Sequence, residues 1–208
     1  MNKSKKRALT ALVCFVLSLS IALGQNTYRD RQMQPEKLMD SIGVKQGMII
    51  GEGGAGRGYF TFKLAQRVGP VGHVYANDID RGALDSIQRR CQQEGISNIS
   101  TILGEVENPL FPEAELDMVF MIAAFHDFEK PVAWLENIIS SLKPGALLVI
   151  VEKDPEKYAR DSGHHMTKNE ILVTVKNADF ELVKIETFLE DDNIFVFRSG
   201  RSIPGESI

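Results

Sequence analysis

A chain of 208 residues, 43% hydrophobic and 25% charged, has the make-up of an ordinary globular protein and the length for one domain with a sizeable core. Its formal net charge of −4 and the lack of any basic run interleaved with aromatics argue against a nucleic acid partner. Of its two cysteines, Cys14 lies in an apolar leader, so the rest of the chain holds only Cys91 and no internal disulfide.

The leader comes first in chain order. Lys3, Lys5, Lys6 and Arg7 precede an uncharged apolar run over residues 8–23, and Ala22 and Gly24 supply the small residues of a cleavage site. This pattern predicts a secretory signal over residues 1–24, with export to a periplasmic or extracellular location. The alternative is an uncleaved N-terminal membrane anchor, although the 16-residue run is shorter than the ~20 apolar residues that spanning needs. Either way, membrane contact is confined to the N-terminal segment. Val13 before Cys14 argues against lipidation. Without residues 1–24 the formal charge falls from −4 to −8, because that stretch holds four basic residues and no acidic ones.

Residues 25–34 are polar without periodicity and read as a linker. Pro35 opens a short helix to about Ile42, and residues 47–50 form a compact strand that ends in glycines. A helix over 59–68 follows, carrying Phe60, Leu64 and Val68 on one face, and Gly69, Pro70 and Gly72 mark a turn. The alternation repeats with a strand at 73–76 and a helix at 81–94, whose stripe is Ala83, Leu84, Ile87 and Cys91 and whose stop is Gly95. Strands at 99–103 and 116–121 come next. A helix opened by Pro131 turns Val132, Leu135, Ile138 and Leu142 inward and ends at Pro144 and Gly145, before an apolar strand over 146–151.

Thr167 and Glu170 form a capping box for a last helix to about Ala178. Two strand-like stretches, 180–188 and 194–198, then flank Glu190, Asp191 and Asp192 and predict a closing hairpin. Strands alternating with amphipathic helices imply right-handed βαβ units, hence an α/β, doubly wound, Rossmann-like sheet that is mostly parallel with an antiparallel C-terminal strand. The domain is expected over 35–200, with a tail at 201–208.

The chemistry concentrates in Glu52 to Gly58, EGGAGRG, between a strand and a helix. Glycines let backbone approach a ligand, and a helix start offers unpaired N–H groups. Two frames fit. Gly51, Gly53 and Gly56 satisfy the dinucleotide pattern G-x-G-x-x-G with Asp78 further on, which would suit a nicotinamide cofactor. In the other frame an acid, Glu52, is followed by Gly54, Gly56 and Gly58 at every second position.

The second frame resembles the first motif of class I S-adenosylmethionine-dependent methyltransferases. The similarity extends from about Pro35 to Arg198 and points to seven strands and to the group of ubiquinone and menaquinone C-methyltransferases and their exported relatives. It implies S-adenosyl-L-methionine as cofactor, with the glycine loop and Glu52 at its methionine part. Asp78 in NDID matches the acid that binds the ribose hydroxyls, with Ile79 beside it and Asp80 as a fallback. Glu105 after Gly104 stands where the family usually has an Asp for the adenine amine. LDMVFMIAAFHDF, residues 116–128, resembles the fourth strand and the methyl-transfer face with Ala123, and SLKPGALLVIVEKD, residues 141–154, resembles the fifth strand and its preceding turn.

On this resemblance the function is methyl transfer to a small-molecule acceptor, the alternatives being a non-catalytic adenosyl-binding domain or a nicotinamide-dependent oxidoreductase. His126 follows the fourth strand at the carboxyl edge of the sheet, where it either serves as a base or packs beneath the cofactor, and Asp127 either orients it or is solvated. Phe125, His164 and His165 are expected on the substrate side, with Phe128 and Met166 near the mouth. Metal-dependent relatives carry an acid immediately after the fourth strand, where this chain has Ile122, Ala123 and Ala124, so no metal is expected.

Overall fold

A computed structural model describes residues 28–157 and 163–201. The leader and the tail beyond residue 201 lie outside the described residues. No helix among the described residues is long and apolar enough to cross a membrane.

Seven strands form one sheet: β1 (Ile49–Gly53), β2 (His73–Asp78), β3 (Ile99–Leu103), β4 (Leu116–Ile122), β5 (Leu142–Lys153), β6 (Phe180–Glu186) and β7 (Asp192–Ser199), in the order β3-β2-β1-β4-β5-β7-β6. The pairs among β1 to β5 are parallel, whereas β7 runs antiparallel between β5 and β6. The expected hairpin therefore forms, and its second strand inserts next to β5.

Period-two alternation sorts the strand side chains onto two faces. Met118, Phe120, Ile122, Val149, Val151, Ile194 and Val196 pack under α1 (Pro35–Ser41) and α2 (Thr61–Val68). Val119, Met121, Leu148, Ile150, Phe195 and Phe197 pack under α4 (Pro131–Ile138) and α5 (Lys168–Asn177). The helix α3 (Arg81–Glu94) closes the β2 side through Leu84 and Ile87, capped by Asp80 at one end and left-handed Gly95 at the other. The predicted capping box of Thr167 and Glu170 opens α5.

Three expectations change. Residues 28–33 are helical rather than a linker, because their polar side chains find partners on α2 and on Tyr59 just before it: the Tyr59 hydroxyl donates to Asp30 at 2.7 Å, Lys63 pairs with Asp30 at 2.9 Å, and the Arg29 guanidinium lies 3.7 Å from the Tyr59 ring centre. The strand β1 continues through Gly51–Gly53, since β2 and β4 pair with it on both sides. The helix α4 ends before Pro144: a 3₁₀ turn covers Ile139–Ser141, and Leu142 already pairs with Leu116 as the first residue of β5. Proline and Gly145, at a φ of 77°, instead sit in an irregularity of β5, where the register shifts between Leu116 and Met118.

Phe120, fully buried in β4, meets Phe60 at 4.9 Å between ring centres, joining the central strand to the segment that follows the glycine loop. Phe120→Ala is expected to cost about 3–5 kcal/mol, read as a lowered midpoint in urea unfolding.

Candidate functional site

Strand order reverses between β1 and β4: the chain runs outward one way through β2 and β3 and the other way through β5. The crevice at such a switch point is where doubly wound sheets hold ligands. The loop after β1, the end of β2, and the loops after β3 and β4 all open there.

The two glycine frames separate physically. Gly51 and Gly53 belong to β1, and a Cβ on them would meet Leu116 and Phe111, or Trp134, at under 3 Å, so they serve packing inside the sheet. Gly54, Gly56 and Gly58 form the turn itself and all have positive φ. At Gly54 a Cβ would come within 2.5 Å of the Ala124 Cβ, while at Gly56 it would enter open space. The loop that faces the crevice is thus the acid-led frame.

Glu52 is 1% exposed and lines a cavity of about 950 Å³ with Gly54, Gly56 and Gly58. Thr61 donates to its Oε2 at 2.5 Å. Burial pushes its carboxyl up to about 8; the Thr61 bond opposes the rise, the negative Asp78 adds to it, and Arg29 works against it.

Asp78 ends β2, and its two oxygens accept from the backbone N–H of Gly56 at 2.7 Å and of Asp80 at 2.8 Å. This ties the glycine loop to β2. The helix-capping role falls to Asp80, which accepts from Gly82 at 2.7 Å. Asp78, Ile79 and Glu105 line a second cavity of about 260 Å³; Gly54 and Ala123 border both, so the two adjoin at the ends of β1 and β4, while the larger one also runs between α2 and α3 as far as Gly69 and Asn98. Ile79 is 62% exposed there.

Beyond β4, Ala123 takes a φ of 49°, and its N–H reaches the Val151 carbonyl at 2.8 Å. Glu152, fully buried in β5, accepts from the N–H of Ala124 at 3.0 Å and of Phe125 at 2.7 Å, and its other oxygen contacts His126 Nδ1 at 2.7 Å. That bond holds the His126 imidazole above the ordinary histidine range, against burial, with Asp127 adding to the rise. His126 Nε2 stands 3.5 Å from Asp127, and the rings of His164 and His165 lie 4.8 and 4.7 Å from the His126 ring.

The structure therefore gathers Glu52, Gly54, Gly56, Gly58, Asp78, Ile79, Glu105 and Ala123 at one crevice, and His126, Asp127, His164 and His165 beside its β4 edge. Phe125 does not join them. It is fully buried among Val119, Trp134 and Leu135, because its place in the 3₁₀ turn Phe125–Asp127 directs it into the core; Phe128 reaches the cavity instead. Met166 also packs on that core.

Sequence reasoning missed Glu152, Asn77 and Arg29. A single charge closing the apolar run LLVIVE was the available signal for Glu152. Asn77 lines the smaller cavity and, from a buried position, donates to the Pro109 carbonyl at 2.8 Å, fixing the loop of Glu105.

A family model described as a methyltransferase domain matches residues 45–179. The chain belongs to this family. Among curated relatives, the protein-L-isoaspartate O-methyltransferase of Methanothrix thermoacetophila is 27% identical over 70% of this chain and 60% of its own length. The demethylmenaquinone methyltransferase of Lactococcus lactis is 25% identical over 61% of this chain and 50% of its own. The chain thus spans about half the length of the curated relatives it matches. A SAM-dependent methyltransferase from Aquifex aeolicus has the same fold, with a TM-score of 0.77, 23% identity, and coverage of 81% of this chain and 91% of that one.

The family's cofactor is S-adenosyl-L-methionine, and the crevice fits it. A buried carboxyl raised to about 8 is a site that a cationic ammonium would complete, and Asp78 presents carboxylate lone pairs toward the neighbouring cavity. Asp78→Ala should weaken S-adenosylhomocysteine binding by about 10–100-fold, with the far-ultraviolet circular dichroism unchanged; undiminished binding would remove Asp78 from the site.

Glu52 also sets a pH dependence. Its carboxyl binds a proton more tightly folded, at about 8, than at its ordinary 4.5, so the native state holds more protons than the unfolded one between those values. Its contribution to the stability of the ligand-free protein is full below 4.5 and falls as pH rises toward 8. The expected outcome is a melting temperature that declines across that window, with the decline reduced in Glu52→Gln.

Proposed function

We propose that the protein transfers a methyl group from S-adenosyl-L-methionine to a small-molecule acceptor, and that residues 1–24 direct the domain out of the cytoplasm or anchor it at the membrane. The observation that carries the methyl-transfer reading is the convergence, at the β1/β4 switch point, of a positive-φ glycine loop, the buried Glu52 and Asp78 on two adjoining cavities. The export reading rests on the basic cluster, the apolar run and the small residues near Gly24.

The cofactor, when bound, supplies an electrophilic sulfonium methyl, so little covalent chemistry is asked of the protein. Glu52 receives the ammonium end, Asp78 the ribose hydroxyls, and the exposed face of Ile79 the adenine. The positive φ of Ala123 brings the β4 edge against Gly54, where both cavities meet, which leaves Ala124, Asp127 and Phe128 to line the acceptor's place. Methyl transfer then gains from fixing the nucleophile in line with the methyl, a positioning effect. The ubiquinone and menaquinone C-methyltransferase group supports an aromatic, partly apolar acceptor, and Phe128 at the cavity wall suits one.

Calorimetric titration of the full chain with S-adenosylmethionine, S-adenosylhomocysteine and NAD tests this reading. Saturable binding of the adenosyl ligands without NAD is expected; silence toward the adenosyl ligands would refute it. Because the ammonium pairs with ionised Glu52 and the free protein holds that proton up to about 8, binding at pH 7 should release a proton. Affinity should rise with pH from 7 toward 8. Titrations in buffers of different ionisation enthalpy measure the proton count, and Glu52→Gln should abolish the release.

A further inference from the structure

Three histidines and two carboxylates meet where the loop after β4 faces the loop before α5. His126, Asp127 and His164 offer donor atoms that all lie within 4.8 Å of one another, and His126 Nε2 and His164 Nε2 each stand 3.5 Å from an Asp127 oxygen. Tetrahedral zinc with bonds of about 2.0–2.1 Å separates neighbouring donors by roughly 3.3 Å, so the two histidine–Asp127 distances are already near that value, and a rotation of the exposed Asp127 and His164 side chains by up to about 1.5 Å closes the rest of the set.

The support behind these donors is already built. Glu152 is fully buried and holds His126 Nδ1 at 2.7 Å, while the same carboxylate is fixed by the N–H groups of Ala124 and Phe125. With Nδ1–H committed to a carboxylate, the lone pair of a neutral imidazole is on Nε2, which faces Asp127 and His164. A carboxylate gripping the far nitrogen is the arrangement that orients metal-bound histidines and raises their basicity. The His126 side chain is 6% exposed and so pre-set, whereas Asp127 and His164, at 63% and 60%, leave a path for an ion.

We propose that His126 Nε2, Asp127 and His164 Nε2 bind a divalent transition metal of zinc type, with Glu152 as the positioning carboxylate. Two imidazoles and one carboxylate suit zinc, cobalt or iron(II) and do not suit magnesium or calcium, which take oxygen ligands. Three protein ligands leave a fourth position open, the arrangement of catalytic and substrate-binding sites rather than closed structural ones. Asp127 also lines the smaller cavity, so an ion held here borders the acceptor side; that placement rests on the methyl-transfer reading, while metal binding itself does not. His126, Glu152 and His165 form a second possible set. It is the weaker one, because an ion there would have to break the buried His126–Glu152 hydrogen bond.

The test is a Co²⁺ titration of the chelator-treated full chain, followed by visible absorption, with Zn²⁺ as competitor. One equivalent of Co²⁺ with the intense bands of a four-coordinate site, displaced by Zn²⁺, is expected. Glu152→Gln should weaken Co²⁺ binding by about 10–100-fold, and His164→Ala, on an exposed position that folding does not need, should weaken it at least as much. His73→Ala, which removes the distant histidine on β2, should change nothing. Lack of saturable Co²⁺ uptake, uptake indifferent to His164→Ala, or uptake lost in His165→Ala but not in His164→Ala would each overturn this ligand set. Binding of S-adenosylhomocysteine by the metal-free chain is read separately, so failure of the metal site and failure of the cofactor reading remain distinct.

Discussion

A carboxylate buried at the end of a strand must be met by donors, and Glu152 organises the β4 edge of the crevice by meeting that requirement. Its oxygens collect the backbone N–H groups of Ala124 and Phe125 and the His126 ring. The segment after β4 thereby turns sharply. Ala123 is held at positive φ, Phe125 is driven into the core, His126 is held against Glu152 beside the crevice, and Asp127 is left lining it. An unpaired charge in that position would cost several kcal/mol, so the turn and the carboxylate stabilise one another.

On the opposite wall the same economy of contacts operates through Asp78. It is both a ligand candidate and the tie between β2 and the glycine loop, since Gly56 donates to it. Gly51 and Gly53 let β1 lie close under Phe111, Leu116 and Trp134, while Gly54, Gly56 and Gly58 let the next turn fold back over the strand ends. One short glycine-rich stretch therefore does two jobs, close packing and loop formation. Overlapping motif frames look alike as strings and differ only in which glycines carry positive φ.

Glu52 shows how burial sets the electrostatics of the cavity it lines. Buried beside Asp78, it favours protonation, and under the proposed function an ammonium would supply the charge that the fold withholds. The helical residues 28–33 close the outer side of this region through Arg29 and Asp30, bringing a cation within influence of Glu52 without neutralising it. Under that proposal, affinity for a zwitterionic methionine end and instability of the ionised free protein would have one electrostatic origin.

The layered α/β architecture was legible in the sequence because it rests on local periodicity and punctuation. The stripe Ala83, Leu84 and Ile87 with Gly95 behind it, the Thr167–Glu170 capping box and the alternation along LDMVF each act within a few residues. The acid-led glycine loop and Asp78 were legible for the same reason. Everything that depended on distant partners was not. Residues 28–33 become helical against Tyr59 and Lys63, Leu142 joins a strand because Leu116 pairs with it, and Phe125 points inward because Glu152 bends the chain. The meeting of His126 with His164 and His165 joins residues nearly forty positions apart, and only the packing of α5 against the sheet brings them together. Local patterning determined the elements and the glycine-loop motif of this protein; the tertiary structure decided the β4 edge of the crevice, because a buried charge and its donors are distributed over strands that only the folded sheet makes neighbours.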